Sequence, residues 1–181
     1  PSKSHPISNK DDNSIVTSPA DSVPQGVWKI NGNGQLNKNV KVKLLDYKNI
    51  HVDLLQGSKY ANEFANGTLT HAFLNVNDYH RYHYPLTGEV IEHHTVTRGV
   101  TLSVTWSEQE KKFIPNDSLG WQYKQTHAYA ILKTEKYGLV ALIPMGMAQV
   151  SSCNLTWPIL GHHNKGEGLG NFLFGGSDFM M

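Results

Sequence analysis

The chain has 181 residues, with 16 Lys+Arg against 15 Asp+Glu and a formal net charge of +1. That length suits one domain with a sizeable core, and the near-neutral balance leaves no polybasic footprint for nucleic acid or an anionic membrane. The longest apolar run, Leu139 to Val150, is interrupted by Pro144 and Gly146 and falls well short of a bilayer span, so no transmembrane segment is expected.

Residues 1–13 are polar, with two prolines, and read as a flexible lead-in to a domain over 14–181. From Ser14 onward, short β-type runs are broken by turn residues. "VWKI" ends at "NGNG" (Asn31 to Gly34), a turn signal, and "VKVKLL" from Val40 alternates apolar and basic positions as a half-buried strand does. "SKYANEF" (Ser58 to Phe64) reads as a short helix with Ser58 placed to cap it. "TLTHAFLNV" (Thr68 to Val76) and "GEVIEHHTV" (Gly88 to Val96) read as strands. The polar stretch Glu108 to Gln125, with Pro115 and Gly120, reads as a surface excursion. "HAYAILKTEKYGLVALIPM" predicts a hairpin turning near Glu135 to Gly138. The expectation is a mainly β fold, a β-rich α+β chain with short helices. Cys153 stands alone, so no internal disulfide forms; a buried thiol in a reducing compartment is expected.

Chemistry concentrates near the C-terminal end. Gly175, Gly176 and Ser177 follow a short apolar run, an arrangement in which a chain can cut itself. The serine hydroxyl attacks the preceding carbonyl, and the two glycines open backbone angles that other residues avoid. An unassisted serine is a poor nucleophile and needs an adjacent base. His80 and His83, in "DYHRYHYPLTG", are the candidates, since a near-neutral pKa suits proton transfer in both directions. On an extended strand, residues three apart point to opposite faces, so the two would not share one site, but Pro85 does not force Tyr79 to His83 to be extended, and the β-rich fold is expected to place Asp21, His80, His83 and Ser177 near one pocket. Asp21 is placed to orient an imidazole as a third member, or else serves as a turn residue between Pro19 and Pro24. The adjacent pairs His93-His94 and His162-His163 lack the spacing of a zinc motif, and no metal is expected.

Four segments in this order resemble the phosphatidylserine decarboxylase family: "SPADS" (Ser18 to Ser22), "DYHRYHYPLTG", "YGLVALIPMGMAQVSSC" and "KGEGLGNFLFGGS". The middle two look most like the soluble branch that includes the fungal tryptophan decarboxylases. The resemblance implies cleavage between Gly176 and Ser177, with Ser177 becoming a pyruvoyl cofactor made by the chain itself. It implies His83 as the cleavage base paired with Asp21, and His80 in the decarboxylation step. It also implies a small-molecule amino acid substrate, a free aromatic one by branch, with a phospholipid headgroup (phosphatidylserine going to phosphatidylethanolamine) as the alternative. Tyr79, Tyr82, Phe73 and Phe174 flank the motifs and would suit an aromatic pocket, or else belong to the core. The chain's own C-terminal part is the expected partner after cleavage, and a soluble, cytoplasmic protein is the expected setting. A faint duplication between "YPLTGEVIEHHTVTRGV" and "WPILGHHNKGEGLGNF" resembles the barrel-sandwich hybrid of biotinyl and lipoyl carriers, in architecture only.

The chain departs from the pattern at two places. Asp178 stands where the family usually carries Thr or Ser. Only Ser177 to Met181 follow the cut, so a truncated precursor with its C-terminal part missing is expected. The rival expectation is a non-catalytic β-barrel module binding a ligand or metal, which would keep the Gly176–Ser177 bond intact.

Overall fold

A computed structural model of the chain describes residues 6–36, 53–75, 78–99, 103–116, 124–147, 150–173 and 176–181. Its strands in chain order are β1 (Val23–Lys29), β2 (Thr68–Leu74), β3 (Arg81–His83), β4 (Gly88–Val96), β5 (Ser103–Ser107) and β6 (Lys112–Asn116), followed by β7 (His127–Thr134), β8 (Gly138–Gly146), β9 (Cys153–Leu155), β10 (Gly161–His163), β11 (Gly168–Phe172) and β12 (Ser177–Met180). A seven-stranded antiparallel sheet runs β1-β2-β12-β8-β7-β4-β10, a three-stranded sheet runs β3-β11-β9, and β5 pairs with β6. The fold is mainly β, as the turn-punctuated sequence predicts. Among the described residues no helix is long and apolar enough to cross a membrane.

The central strands explain the apolar hairpin. β7 and β8 are covered on both faces, so both sets of alternating side chains must be apolar. Ala128, Ala130, Leu132 and Leu142 join Tyr82, Tyr84, Leu74 and Phe179 in one core; Tyr129, Ile131, Ile143 and Met145 join Trp28, Leu69 and Met180 in the other. Each fully buried side chain of this size contributes about 1.5–3 kcal/mol. The two look-alike segments pair with each other: β4 lies against β10, and the Tyr84 and His163 rings stack with centroids 4.4 Å apart; just before the first segment, β3 pairs with β11 of the second.

Several local expectations change. The helix over Ser58 to Phe64 is a single 3-10 turn, Ala61–Phe64, with no side-chain cap on its first residue. Ser58 Oγ accepts the Tyr60 N–H at 3.1 Å, so the serine closes the preceding turn. The run at Asn66-Gly67, with Asn66 at φ 61, ends any helix there. Part of the expected surface excursion is regular: its first residues complete the β5–β6 hairpin. "VKVKLL" lies outside the described residues. The polar lead-in is fastened from residue 9 onward, because Lys165 Nζ donates to the carbonyls of Asn9, Asp12 and Ile15 at 2.8, 3.0 and 2.8 Å.

Candidate active site

β12 begins at Ser177 and lies between β2 and β8, with Ser177 opposite Leu74 and Gly146. Gly176, just before it, has φ 89, a left-handed conformation that glycine adopts without the Cβ penalty. Gly175 and Phe174 lie outside the described residues. Ser177 is fully buried, and its Oγ has no hydrogen-bond partner among the described residues. Burying a hydroxyl without a partner is costly, so such an atom is a candidate for chemistry.

His80 meets the backbone one residue before Ser177. The Gly176 N–H donates to His80 Nε2 at 2.9 Å, and His80 Nδ1 lies 2.5 Å from the Asp78 carbonyl oxygen. A carbonyl only accepts, so the ring proton sits on Nδ1 and the free lone pair on Nε2 points at Gly176. The His80 carbonyl accepts the Phe172 N–H at 2.9 Å, and the Phe172 ring meets the imidazole edge-on. The end of β11 therefore fixes both the backbone and the ring of His80.

His83 and Asp21 meet elsewhere, in a cavity of about 610 Å³ walled by Ile7, Ile15, Val16 and Tyr79. The local sequence builds this approach. Ser18 and Ser22 hydroxyls both donate to the Ala20 carbonyl, at 2.8 and 3.1 Å, folding "SPADS" into a bend. His83 N–H donates to Pro19 O at 2.7 Å, which docks the bend on β3. The Tyr79 and His83 rings stack at 6.1 Å. Neither ring nitrogen of His83 has a hydrogen-bond partner among the described residues. Burial holds the His83 pKa below the ordinary imidazole value, while the Gly166 backbone and, more weakly, the Asp21 carboxylate pull the other way. A neutral imidazole with an open lone pair is the form a general base requires.

The expected residues thus fall into two groups, His80 with Gly176 and Ser177, and His83 with Asp21. Their divergence follows from strand alternation, since His83 closes β3 and His80 precedes it. Of the aromatic candidates, Tyr82 is core: it is fully buried, and its hydroxyl donates to Asn154 O at 2.5 Å. Tyr79 lines the His83 cavity. Cys153 is buried, as expected, and burial pushes its thiol up to about 12. Among the described residues no group of three His, Cys, Asp or Glu side chains forms a metal-sized cluster.

Sequence reasoning passed over two buried polar residues. His71, on β2, lies with Nε2 3.2 Å from Asp178 Oδ1, and both side chains are nearly fully buried. A histidine inside the short β-type run "TLTHAFL" was the available signal. Lys165 is 1% exposed, and nothing in its glycine-rich setting marks it as buried.

Residues 2–181 match the family described as phosphatidylserine decarboxylase. The chain is 34% identical over 164 residues to a phosphatidylserine decarboxylase proenzyme of Fusobacterium nucleatum, covering 80% of this chain and 52% of the relative. It is 31% identical over 156 residues to a proenzyme of the same description from Ruminiclostridium cellulolyticum, covering 83% and 50%. It is 30% identical over 144 residues to an L-tryptophan decarboxylase of Psilocybe cubensis, covering 71% and 31%. The chain spans about half the length of the bacterial relatives and about a third of the fungal one.

Proposed function

The chain belongs to the phosphatidylserine decarboxylase family, and on that footing we propose that it is part of a self-cleaving, pyruvoyl-dependent decarboxylase precursor that removes the α-carboxyl of a free aromatic amino acid. The observation that carries this reading is the geometry at the Gly176–Ser177 bond: a left-handed glycine held by His80, followed by a buried serine hydroxyl with no partner among the described residues.

In the cut, Ser177 Oγ bonds to the Gly176 carbonyl carbon as the C–N bond opens. The hydroxyl proton passes through a base and ends on the freed Ser177 amine. Loss of the Ser177 Cα proton and of the Cβ–Oγ bond then releases a carboxylate ending at Gly176. The remaining enamine takes up water and loses ammonia, which leaves a ketone on the new N-terminus. The family pattern assigns the cleavage base to His83, kept neutral by its burial and faced by Asp21; Ser177 is not among the residues lining its cavity, so the cut requires the two to approach. The pyruvoyl group supplies a carbonyl sink for the electrons released as carbon dioxide departs. His80, whose Nε2 accepts the Gly176 N–H one peptide before the cut, delivers the proton to the substrate carbon once the cut has freed Nε2 from Gly176 and a proton has been taken up there. The segment from Ser177 onward stays between β2 and β8 as the partner chain. The free, buried Cys153 fits a reducing, cytoplasmic setting.

The test is the intact mass of the full-length protein with and without hydroxylamine, beside Ser177→Ala. The reading expects two chains from the wild type and one from the variant. A wild-type bond that stays intact under all conditions would favour the non-catalytic binding module. A second substrate reading, phosphatidylserine, draws on the higher identity to the bacterial proenzymes. Competing assays with labelled tryptophan, tyrosine and phosphatidylserine separate the two; turnover of the lipid alone would overturn the aromatic assignment.

A further inference from the structure

β12 is buried along its whole length and alternates between two cores. Phe179 packs in the core with Leu74 and Tyr82, and Met180 in the core with Trp28 and Met145. Ser177 shares the side of Phe179, and Asp178 shares the side of Met180. Asp178 is therefore a carboxylate set into an apolar layer, 2% exposed. His71 meets it there, diagonally across the β2–β12 ladder: Asp178 stands opposite Phe73, and His71 opposite Met180. Nε2 of His71 is 3.2 Å from Asp178 Oδ1, an ion-pair distance without hydrogen-bond geometry; neither ring nitrogen has a hydrogen-bond partner among the described residues, and the Trp28 ring lies 6.4 Å away. Two polar groups buried in such a layer are tolerated because they face each other; removing either strands the other.

We propose that His71 and Asp178 are a positioning pair that locks the start of β12 in register. The proposal rests on the self-cleavage reading above. Asp178 is joined directly to Ser177, and the pair lies on the face of β12 opposite the Ser177 side chain. It acts on the cut through the backbone, by keeping the hydroxyl aimed at the Gly176 carbonyl. Once the bond is cut, β12 loses its covalent tether to β11 and is held only by its ladder partners and side chains. A slip of one residue would drive Asp178 into the other core and turn residue 177 away from His80. A fixed polar partner on β2 opposes that slip, the use of buried polar pairs best attested elsewhere.

The test uses the full-length protein and the variants His71→Gln, Asp178→Asn and the two combined. Each single variant should slow cleavage by about tenfold to a hundredfold, the loss expected for a misplacement near 1 Å. The double variant, whose two amides can pair again, should recover part of that rate, so the two effects are not additive. In the Ser177→Ala background, His71→Gln should speed amide exchange along 177–180 while β7 stays protected. A fall in thermal midpoint with the cleavage rate unchanged well below unfolding would mark a merely structural pair and overturn the proposal. If the single variants do not fold, His71→Leu with Asp178→Leu replaces the pair by apolar groups; a folded protein cleaving at the wild-type rate would also overturn it. If the wild type is never cleaved, the functional reading fails, and the exchange experiment alone decides: unchanged protection at 177–180 refutes the positioning role.

Discussion

The Gly176 N–H rests on His80 Nε2 at 2.9 Å, one peptide unit before the buried Ser177. This contact orients the imidazole, fixes its tautomer and places its Nε2 one peptide unit before the Gly176–Ser177 bond. It does not make His80 the cleavage base, since that lone pair is already occupied by the glycine N–H.

The separation of the two histidines yields a test of their roles. His83→Gln should leave the precursor largely uncut. His80→Gln, which keeps an acceptor for Gly176, should still permit the cut, while turnover by the cleaved enzyme falls by about 10²–10⁴-fold, as for loss of a general acid. Denaturing gels report the first effect and carbon dioxide release the second. Uncut His80→Gln beside normally cut His83→Gln would reverse the assignment.

Gly176 at φ 89 has a second consequence. An L-residue there carries a Cβ penalty of about 1–2 kcal/mol. Gly176→Ala should lower stability in urea by about that amount and slow the cut, as the carbonyl leaves its strained presentation. Unchanged stability would mean that the turn relaxes freely and that the left-handed conformation has no role.

Stability should also depend on pH. His83 and His127 both have pKa values lowered by burial; for His127 burial outweighs the carbonyls of Gln125 at 3.1 Å and Leu54 at 3.0 Å, which favour the protonated ring. The unfolded chain takes up protons at about pH 6.5, while the folded chain resists until a lower pH. Stability from these groups is therefore fully present above about pH 6.5 and is lost as pH falls from there towards the lowered folded values. Thermal midpoints of the Ser177→Ala protein should drop between about pH 6.5 and 5, and His83→Asn should flatten that slope. A midpoint constant over the same range would contradict it.

Local pattern made part of this molecule legible in advance. The hairpin over β7 and β8 could be read because burial on both faces demands an unbroken apolar run, and the turn at Asn31 to Gly34 because it needs glycine, at φ 72 in Gly34. Asp21, His80, His83 and Ser177 were legible as motif members, and strand alternation already pointed to the two histidines parting; that His80 goes with Gly176 and His83 with Asp21 emerged only with the sheets. His71 and Asp178 lie far apart in sequence and meet only through the β2–β12 register. The helix expected at Ser58 shortens to one 3-10 turn: Tyr60, Ala61 and Phe64 pack against the second core, but Asn66 at φ 61 and Gly67 stop the helix before it can propagate.

Lys165 was the least legible, since its acceptors lie 150 to 156 residues away in sequence. Its ammonium is buried against three carbonyls of the segment that passes Ile15, a wall of the His83 cavity. Lys165→Met keeps the stem and removes the charge, leaving three carbonyls to find water. The loss should be about 3 kcal/mol, the scale of charged hydrogen bonds left unmade. Residues 6–15 should then become accessible to protease while β7 and β8 keep their exchange protection. Cleavage at Ser177 should slow as well, because the cavity around His83 and Asp21 loses that wall. Resistance of residues 6–15 to protease in Lys165→Met would show that Asn13 Oδ1, which accepts the Thr87 N–H at 3.0 Å, and the Tyr137 hydroxyl on Ser14 O suffice to hold the segment.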